Sequence, residues 1–188
     1  IEEGAQCDLF FSAATKQMDA LQEGGYLVDG TVKNLLENKV VLIKPKGGET
    51  AVTGFENITE AANLALAGED VPVGQYTQKI LEYYGLSEEE LNERGLISYG
   101  SNVKEVTTQI KEGAVNCGVI YCTDAYSDGL TVTDEATAEM CGQVIYPAAV
   151  LKTGEHPEEA QAFLDFLQTD PCMEIFEKVG FTRIEQEA

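Results

Sequence analysis

The 188-residue sequence predicts an α/β fold in which helices pack on mainly parallel sheets. Short apolar runs of strand length alternate along the chain with segments whose apolar residues recur at helical spacing. The apolar runs at 40–43 and 118–121 are typical of strands that are buried on both faces. Hydrophobic residues make up 44% of the chain, an ordinary share for a globular protein, so the high charge does not indicate disorder.

Each element follows from its local pattern. Strands are predicted for the apolar runs at 8–11, 40–45, 64–67, 96–99, 118–121 and 144–151. Helices are predicted where apolar residues share one helical face: Met18 and Leu21; Val32, Leu35 and Leu36; Tyr76, Ile80, Leu81 and Tyr84; Val103, Val106 and Ile110; Ala160, Phe163, Leu164 and Leu167; Ile175, Phe176 and Val179. Ser87 with Glu90 forms a capping-box pattern, and Pro157 suits the first turn of a helix. The segment 1–4 is interpreted as the end of a helix in a chain that begins partway through a longer protein.

Charge and composition exclude several classes of function. The chain carries 33 acidic and 12 basic residues, a net charge of −21, which disfavours binding to nucleic acids and to anionic membranes. One histidine and the absence of a C-x-x-C pair exclude the common zinc patterns, and no apolar run approaches the roughly 18 residues of a membrane span. The five cysteines are odd in number, so at least one is free or pairs between chains. We interpret them as mainly structural and leave their disulfide state open.

Candidate binding positions lie where strands give way to helices. Pro72 and Gly74 surround Val73 at a helix start, where first-turn N–H groups point outward and can bind an anion. The N–H of Val103 has the same position in the next junction, where Asn102 and Glu105 form a capping pattern. Tyr121 ends a buried strand. Judged alone, each of these residues is first interpreted as part of an ordinary helix start or, for Tyr121, as a tyrosine packed in the core.

An enzymatic interpretation has little support in the residues. His156 lies in a polar helix entry and is interpreted as a turn residue. Asp124 and Asp128 follow Tyr121, and turn or capping roles account for both. We therefore predict no catalytic residue, no metal site and no cofactor. The effector domain of a transcription regulator is a further alternative of similar fold, but no basic DNA-reading element accompanies the chain.

Several segments occur together in one order over nearly the whole chain. They are IEEGA at 1–5, CDLFFSA at 7–13, MDAL at 18–21, NKVVLI at 38–43, VPVGQY at 71–76, GVIY at 118–121 with TDA at 123–125, YPAAV at 146–150 and FEKVGF at 176–181. With these segments the chain resembles the molybdate-binding proteins of ABC importers, which have the two-lobed type II periplasmic binding-protein fold. The VPVGQY and GVIY segments are the most specific part of the resemblance.

The resemblance implies a function and its residues. Lobe I would comprise 1–44 and 146–188 and lobe II 45–145, with crossing strands near 40–45 and 144–151. Molybdate or tungstate would be held in the cleft between the lobes by neutral donors, without lysine or arginine. The donors implied by the motifs are the N–H of Val73, the N–H of Val103 and the hydroxyl of Tyr121. The protein would pass the oxyanion to a membrane ABC permease, from a periplasmic or membrane-anchored extracellular position. Sulfate or another tetrahedral oxyanion is the alternative ligand.

The sequence also departs from this family at its beginning. Members usually start with a strand, a helix and a second strand, whose turns supply two hydroxyl contacts to the ligand. Here the resemblance starts at the helix that follows them. We therefore expect lobe I to be incomplete and the chain to hold half of a site, which would bind the oxyanion weakly or leave the chain a non-binding fragment.

Overall fold

The computed structural model describes residues 1–184, in which strands and helices alternate. The strands are β1 (Leu9–Phe11), β2 (Lys33–Asn38), β3 (Val40–Lys44), β4 (Leu64–Ala67), β5 (Ile97–Gly100), β6 (Cys117–Tyr121), β7 (Thr131–Glu135), β8 (Val144–Val150) and β9 (Thr182–Arg183). The helices are α1 (Thr15–Glu23), α2 (Pro72–Tyr83), α3 (Glu88–Glu93), α4 (Val103–Lys111), α5 (Cys122–Asp128), α6 (Ala138–Cys141), α7 (Pro157–Leu167) and α8 (Asp170–Lys178), with a short 3₁₀ helix at Phe55–Glu60. The predicted α/β class is confirmed.

The chain forms two compact units. Unit 1 consists of Ile1–Asn38 and the chain from Val144 onward, and unit 2 consists of Lys39–Gln143. The predicted division had its boundaries after 44 and before 146. The first boundary of the structure lies earlier because β3 pairs with β6 on one side and with β7 on the other, all within unit 2. Residues 185–188 of the predicted lobe I lie outside the described residues.

Unit 1 contains a four-stranded sheet in the order β1-β8-β2-β9, and every pair in it is antiparallel. Leu9 lies opposite Val150, and Leu36 lies opposite Tyr146. The expectation of mainly parallel sheets is therefore wrong for this unit. A hydrophobic run indicates that a strand is buried, but it does not indicate the direction of the neighbouring strand.

The apolar run of β8 is continuous because helices cover both faces of this sheet. Ala148 and Val150 pack in one cluster with residues of α7 and α8. Ala149 and Leu151, which point to the opposite face, pack in a second cluster with Met18 and Leu21 of α1. Alternate residues of one strand thus belong to different cores.

The helix expected from Val32, Leu35 and Leu36 is wrong, since these residues lie in or beside β2. The pairing of β2 with β8 shifts register between Asn34 and Leu36, as at a β-bulge. Both Leu35 and Leu36 are buried in the same cluster, against the usual alternation of a strand. Because of the bulge, the apolar residues in or beside this strand have the i, i+3, i+4 spacing that is typical of a helix.

Unit 2 contains a five-stranded sheet in the order β5-β4-β6-β3-β7. Strand β4 is parallel to both of its neighbours, β5 and β6, whereas β3 is antiparallel to β6 and β7. The apolar run of β3 and all residues of β6 are buried, which confirms the prediction of strands covered on both faces. Strand β4, which was predicted only as a strand, is fully buried as well. Strand β7 was not predicted because it is an edge strand of mostly polar, partly exposed residues.

The beginning of the chain forms a turn instead of the expected end of a helix. The N–H of Gly4 donates to the carbonyl of Ile1 at 2.9 Å. Gly4 has a φ of 90°, in the region that favours glycine. None of the helices within residues 1–184 has the length and apolar character needed to cross a membrane.

The five cysteines, all of which lie in the described part of the chain, are free thiols in the structure. Cys117 begins the buried strand β6 and is 1% exposed. Burial raises the pKa of its thiol to about 12, because the charged thiolate would lose its hydration.

The burial of Cys117 predicts a pH dependence of stability. In the unfolded chain a thiol titrates near pH 8.5, so the contribution of the neutral Cys117 is complete below that pH and is lost as the pH rises towards 12. We expect the free energy of unfolding, measured with urea between about pH 8 and 11, to fall more steeply for the wild type than for Cys117→Ala. The other titrating groups are common to both proteins, so equal slopes would contradict the prediction.

Candidate functional site

The carboxyl ends of three parallel strands form one edge of the sheet in unit 2. Strands β5, β4 and β6 are neighbours in this order, and β4 is followed by α2, β5 by α4 and β6 by α5. In parallel sheets ligands bind at this edge, where the strands end and the helices begin. Val73, Val103 and Tyr121 all lie at these three junctions, so the structure places the three predicted residues at a single edge.

The first turn of α2 leaves one buried backbone donor. Its N-cap residue, Val71, has an extended backbone and no polar side chain, and Pro72 has no N–H. The N–H groups of Gly74 and Gln75 both donate to the carbonyl of Val71, at 2.8 and 3.2 Å. Within residues 1–184 the N–H of Val73 donates to no protein acceptor, although Val73 is fully buried. A buried donor without an acceptor costs about 1–3 kcal/mol, which makes this N–H a natural contact for an anion.

Close contact between α2 and β4 sets the position of this donor. A Cβ atom on Gly74 would lie 2.1 Å from the carbonyl oxygen of Gly68 and 2.6 Å from that of Ala67. Only glycine therefore allows the helix to begin directly against the end of the strand. The hydroxyl of buried Thr77 donates to the carbonyl of Val73 at 2.8 Å and holds the same turn.

The first turn of α4 is closed by side chains. Asn102 Oδ1 accepts from the N–H of Glu105 at 2.9 Å, and Glu105 Oε2 accepts from the N–H of Ser101 at 2.7 Å. This reciprocal pair confirms the expected capping role of Asn102 and Glu105. The hydrogen bond from Ser101 lowers the pKa of Glu105. In the described part of the chain, the N–H groups of Val103 and Lys104 donate to no protein acceptor.

Tyr121 is the last residue of β6 and lies opposite Val40 of β3. It is 5% exposed and precedes the first turn of α5. Asp124 lies in that turn, and its burial, followed by the charge of Asp128, raises the pKa of its carboxyl. Asp128 pairs with Lys111 of α4. Asp128 thus ends α5 and forms an ion pair, a role that the sequence did not predict.

His156 belongs to unit 1, whereas the three junctions belong to unit 2. It is the residue before α7, and its backbone N–H donates to Asp8 Oδ1 at 2.8 Å. Across residues 1–184, no three His, Cys, Asp or Glu side chains are grouped in a way that could hold a metal ion.

Sequence reasoning missed two parts of this edge. It did not find the role of Gly74, although the glycine within VPVGQY was a signal for close backbone approach. It also missed Lys104, whose N–H lies beside that of Val103 at the start of α4. That donor follows only from the observed pattern of the cap.

Comparison with known proteins places the chain in a family. The family described as bacterial extracellular solute-binding protein matches residues 1–182. The chain belongs to this family. Its members are solute-binding proteins of transport systems and not enzymes. The resemblance inferred from the motifs, and the type II periplasmic binding-protein fold that it implied, are confirmed.

Several known proteins are similar to this chain over most of its length. YvgL of Bacillus subtilis (strain 168), named as a candidate ABC transporter substrate-binding lipoprotein, is 37% identical over 184 residues, which are 97% of this chain and 70% of YvgL. The molybdate-binding protein ModA of Mycobacterium tuberculosis (strain H37Rv) is 29% identical over 185 residues, 97% of this chain and 68% of ModA. A solved substrate-binding domain, assigned to a candidate molybdenum ABC transporter of Clostridium difficile, is 30% identical with a TM-score of 0.80, covering 98% of this chain and 80% of that chain.

The contact between α2 and β4 predicts the effect of a single methyl group. Gly74→Ala should lower the free energy of unfolding by about 1–3 kcal/mol, because the new Cβ would meet backbone oxygens that cannot move aside. Gly68→Ala is the matched control, since no atom lies within 4 Å of its Cβ position, and its change should stay within about 0.5 kcal/mol. Urea denaturation of the three proteins measures both values. Equal stability of Gly74→Ala and the wild type would disprove the close approach.

Proposed function

We propose that this chain is the substrate-binding component of an ABC importer and binds molybdate or tungstate at the carboxyl edge of β5, β4 and β6. The N–H of Val73, the N–H of Val103 and the hydroxyl of Tyr121 are its contacts to the oxyanion. The observation that supports this most directly is the buried N–H of Val73, which has no protein acceptor within residues 1–184. The name of the related ModA supports the choice of molybdate.

Local hydrogen bonds make this proposal compatible with the charge of the protein. At a net charge of −21 the overall field repels a dianion, but that field is screened in salt over about 10 Å. A hydrogen bond to a charged group contributes about 1.5–3 kcal/mol, so the three contacts together supply about 5–9 kcal/mol before the cost of association. Contacts from other residues would add to this value.

The chemistry of the donors also sets the class of ligand. Backbone N–H groups cannot accept a hydrogen bond, so they favour an oxyanion that carries no proton. Hydrogen phosphate would bring an O–H group that finds no acceptor among these N–H groups. Sulfate is rejected only by size, since its bonds are shorter than those of molybdate or tungstate. A sulfate-binding protein is therefore the alternative function.

We also propose that the protein delivers the oxyanion to a membrane permease. It would do so from a periplasmic or membrane-anchored extracellular position. The extracellular description of the family and the name of YvgL as an ABC transporter substrate-binding lipoprotein support it.

The proposal predicts which backbone amides respond to the ligand. In ¹⁵N-resolved NMR spectra, molybdate and tungstate should shift the amide signals of Val73 and Val103 in a saturable way. Phosphate at matched ionic strength should leave both signals in place. Shifts at these amides that are equal for sulfate and molybdate would favour the sulfate-binding alternative. No shift with any oxyanion would overturn the proposal.

A proline at position 103 tests one donor without disturbing its helix. Val103 is the first residue of α4, a position that proline favours, and Asn102 before it has the extended backbone that precedes proline. Val103→Pro removes the N–H and should weaken molybdate binding by about ten- to a hundredfold. Val103→Ala keeps the N–H and should bind within about threefold of the wild type. Calorimetric titration measures both, and an equal loss in the two variants would show that the side chain matters instead.

A further inference from the structure

The first turns of α2 and α4, at the proposed binding edge, differ in their capping and in their charge. The start of α2 has no side-chain cap and lies next to no charged group of its own first turn. The start of α4 carries Glu105, whose carboxylate accepts from the N–H of Ser101 at 2.7 Å. Negative charge is therefore held at the edge that the proposed function assigns to a dianion, by Glu105 at the start of α4 and by Asp124 in the first turn of α5.

We infer that Glu105 is a positioning residue whose hydrogen bond holds the start of α4 and whose charge lowers the affinity of this edge for an oxyanion. The inference rests on the proposed function and deepens it. Glu105 lies two residues after Val103, in the same first turn, so its carboxylate and the bound dianion repel each other at short range. The affinity of this edge for the oxyanion is thus lower than its hydrogen-bond donors alone would give.

The geometry and the charge of this junction can be separated. Asn102 Oδ1 accepts from the N–H of Glu105 at 2.9 Å, and Asn102 Nδ2 donates to Ser101 Oγ at 3.2 Å, so neutral groups share in holding the turn. A glutamine at position 105 has a carbonyl oxygen in place of Oε2 and can accept from the N–H of Ser101 as glutamate does. Glu105→Gln therefore removes the charge and keeps the cap. The pKa of Glu105 is lowered by its bond from Ser101, so the wild-type carboxylate is ionised at neutral pH.

Glu112 provides a matched control for the change in net charge. It is exposed and lies just beyond the other end of α4, a helix of 9 residues. At 1.5 Å per residue the helix is about 13 Å long, which exceeds the screening length of about 8–10 Å at physiological salt. Glu112→Gln changes the net charge by the same amount as Glu105→Gln and should alter molybdate binding by less than about twofold.

The test compares molybdate binding by the wild type, Glu105→Gln and Glu112→Gln in calorimetric titrations at low and high salt. We expect Glu105→Gln to bind about three- to tenfold more tightly than the wild type, with a smaller gain at high salt. A purely structural role of Glu105 cannot produce a gain while the N–H of Ser101 keeps its acceptor. Amide hydrogen exchange at Ser101 should stay slow in Glu105→Gln and become fast in Glu105→Ala, which loses the cap.

The possible outcomes distinguish this inference from the proposed function. Wild-type binding together with equal or weaker binding by Glu105→Gln would overturn the inference alone. A gain that is accompanied by fast exchange at Ser101 would also overturn it, because a freed N–H would then explain the tighter binding. Absence of binding in all three proteins would overturn the proposed function.

Discussion

Parallel pairing of β4 with β5 on one side and β6 on the other determines where the candidate site of unit 2 is located. Parallel neighbours run in the same direction, so each strand must return through a crossover and all three carboxyl ends share one edge. The pairing extends past the strands themselves, since the N–H of Gly68 donates to the carbonyl of Gly100 at 3.1 Å. The segments that lead into α2 and α4 are thereby tied together before either helix begins.

Glycines allow the helices to lie directly against these strands. A Cβ atom on Gly74, Gly100 or Gly118 would lie less than 3 Å from an atom of the neighbouring element. The close contacts bring the positive ends of the helix dipoles to the ends of the strands. They also fix the first-turn N–H groups on rigid elements, which is what a site built from backbone donors requires.

The net charge of the protein means that the proposed recognition of an oxyanion at this edge depends on local contacts. A net charge of −21 gives no long-range attraction for an anion, so binding must come from donors in direct contact with it. The two helix starts then differ in character, because α2 offers a buried N–H beside a proline and α4 offers N–H groups beside a carboxylate. In the proposed function, the affinity for the oxyanion depends on how far the helix dipoles, which attract it, outweigh the charge of Glu105, which repels it.

Local chemistry explains which features could be predicted from the sequence. Pro72 and the pair Asn102 and Glu105 mark helix starts through interactions within one turn, and the apolar runs of β3 and β6 mark strands buried on both faces. The same short-range patterns identified Val73, Val103 and Tyr121 as junction residues. Their proposed role came from the resemblance of the surrounding motifs to a family.

The features that the sequence did not predict depend on pairing between distant segments of the chain. The antiparallel sheet of unit 1, the bulge in β2 and the edge strand β7 depend on partners that lie far away in the chain, as in the pairing of Leu36 with Tyr146. The sequence by itself determined where β3, β6, α2 and α4 lie, because their signals act over a few residues. Only the tertiary structure decided that three separate junctions share one edge, because strand direction and order result from contacts that no local pattern encodes.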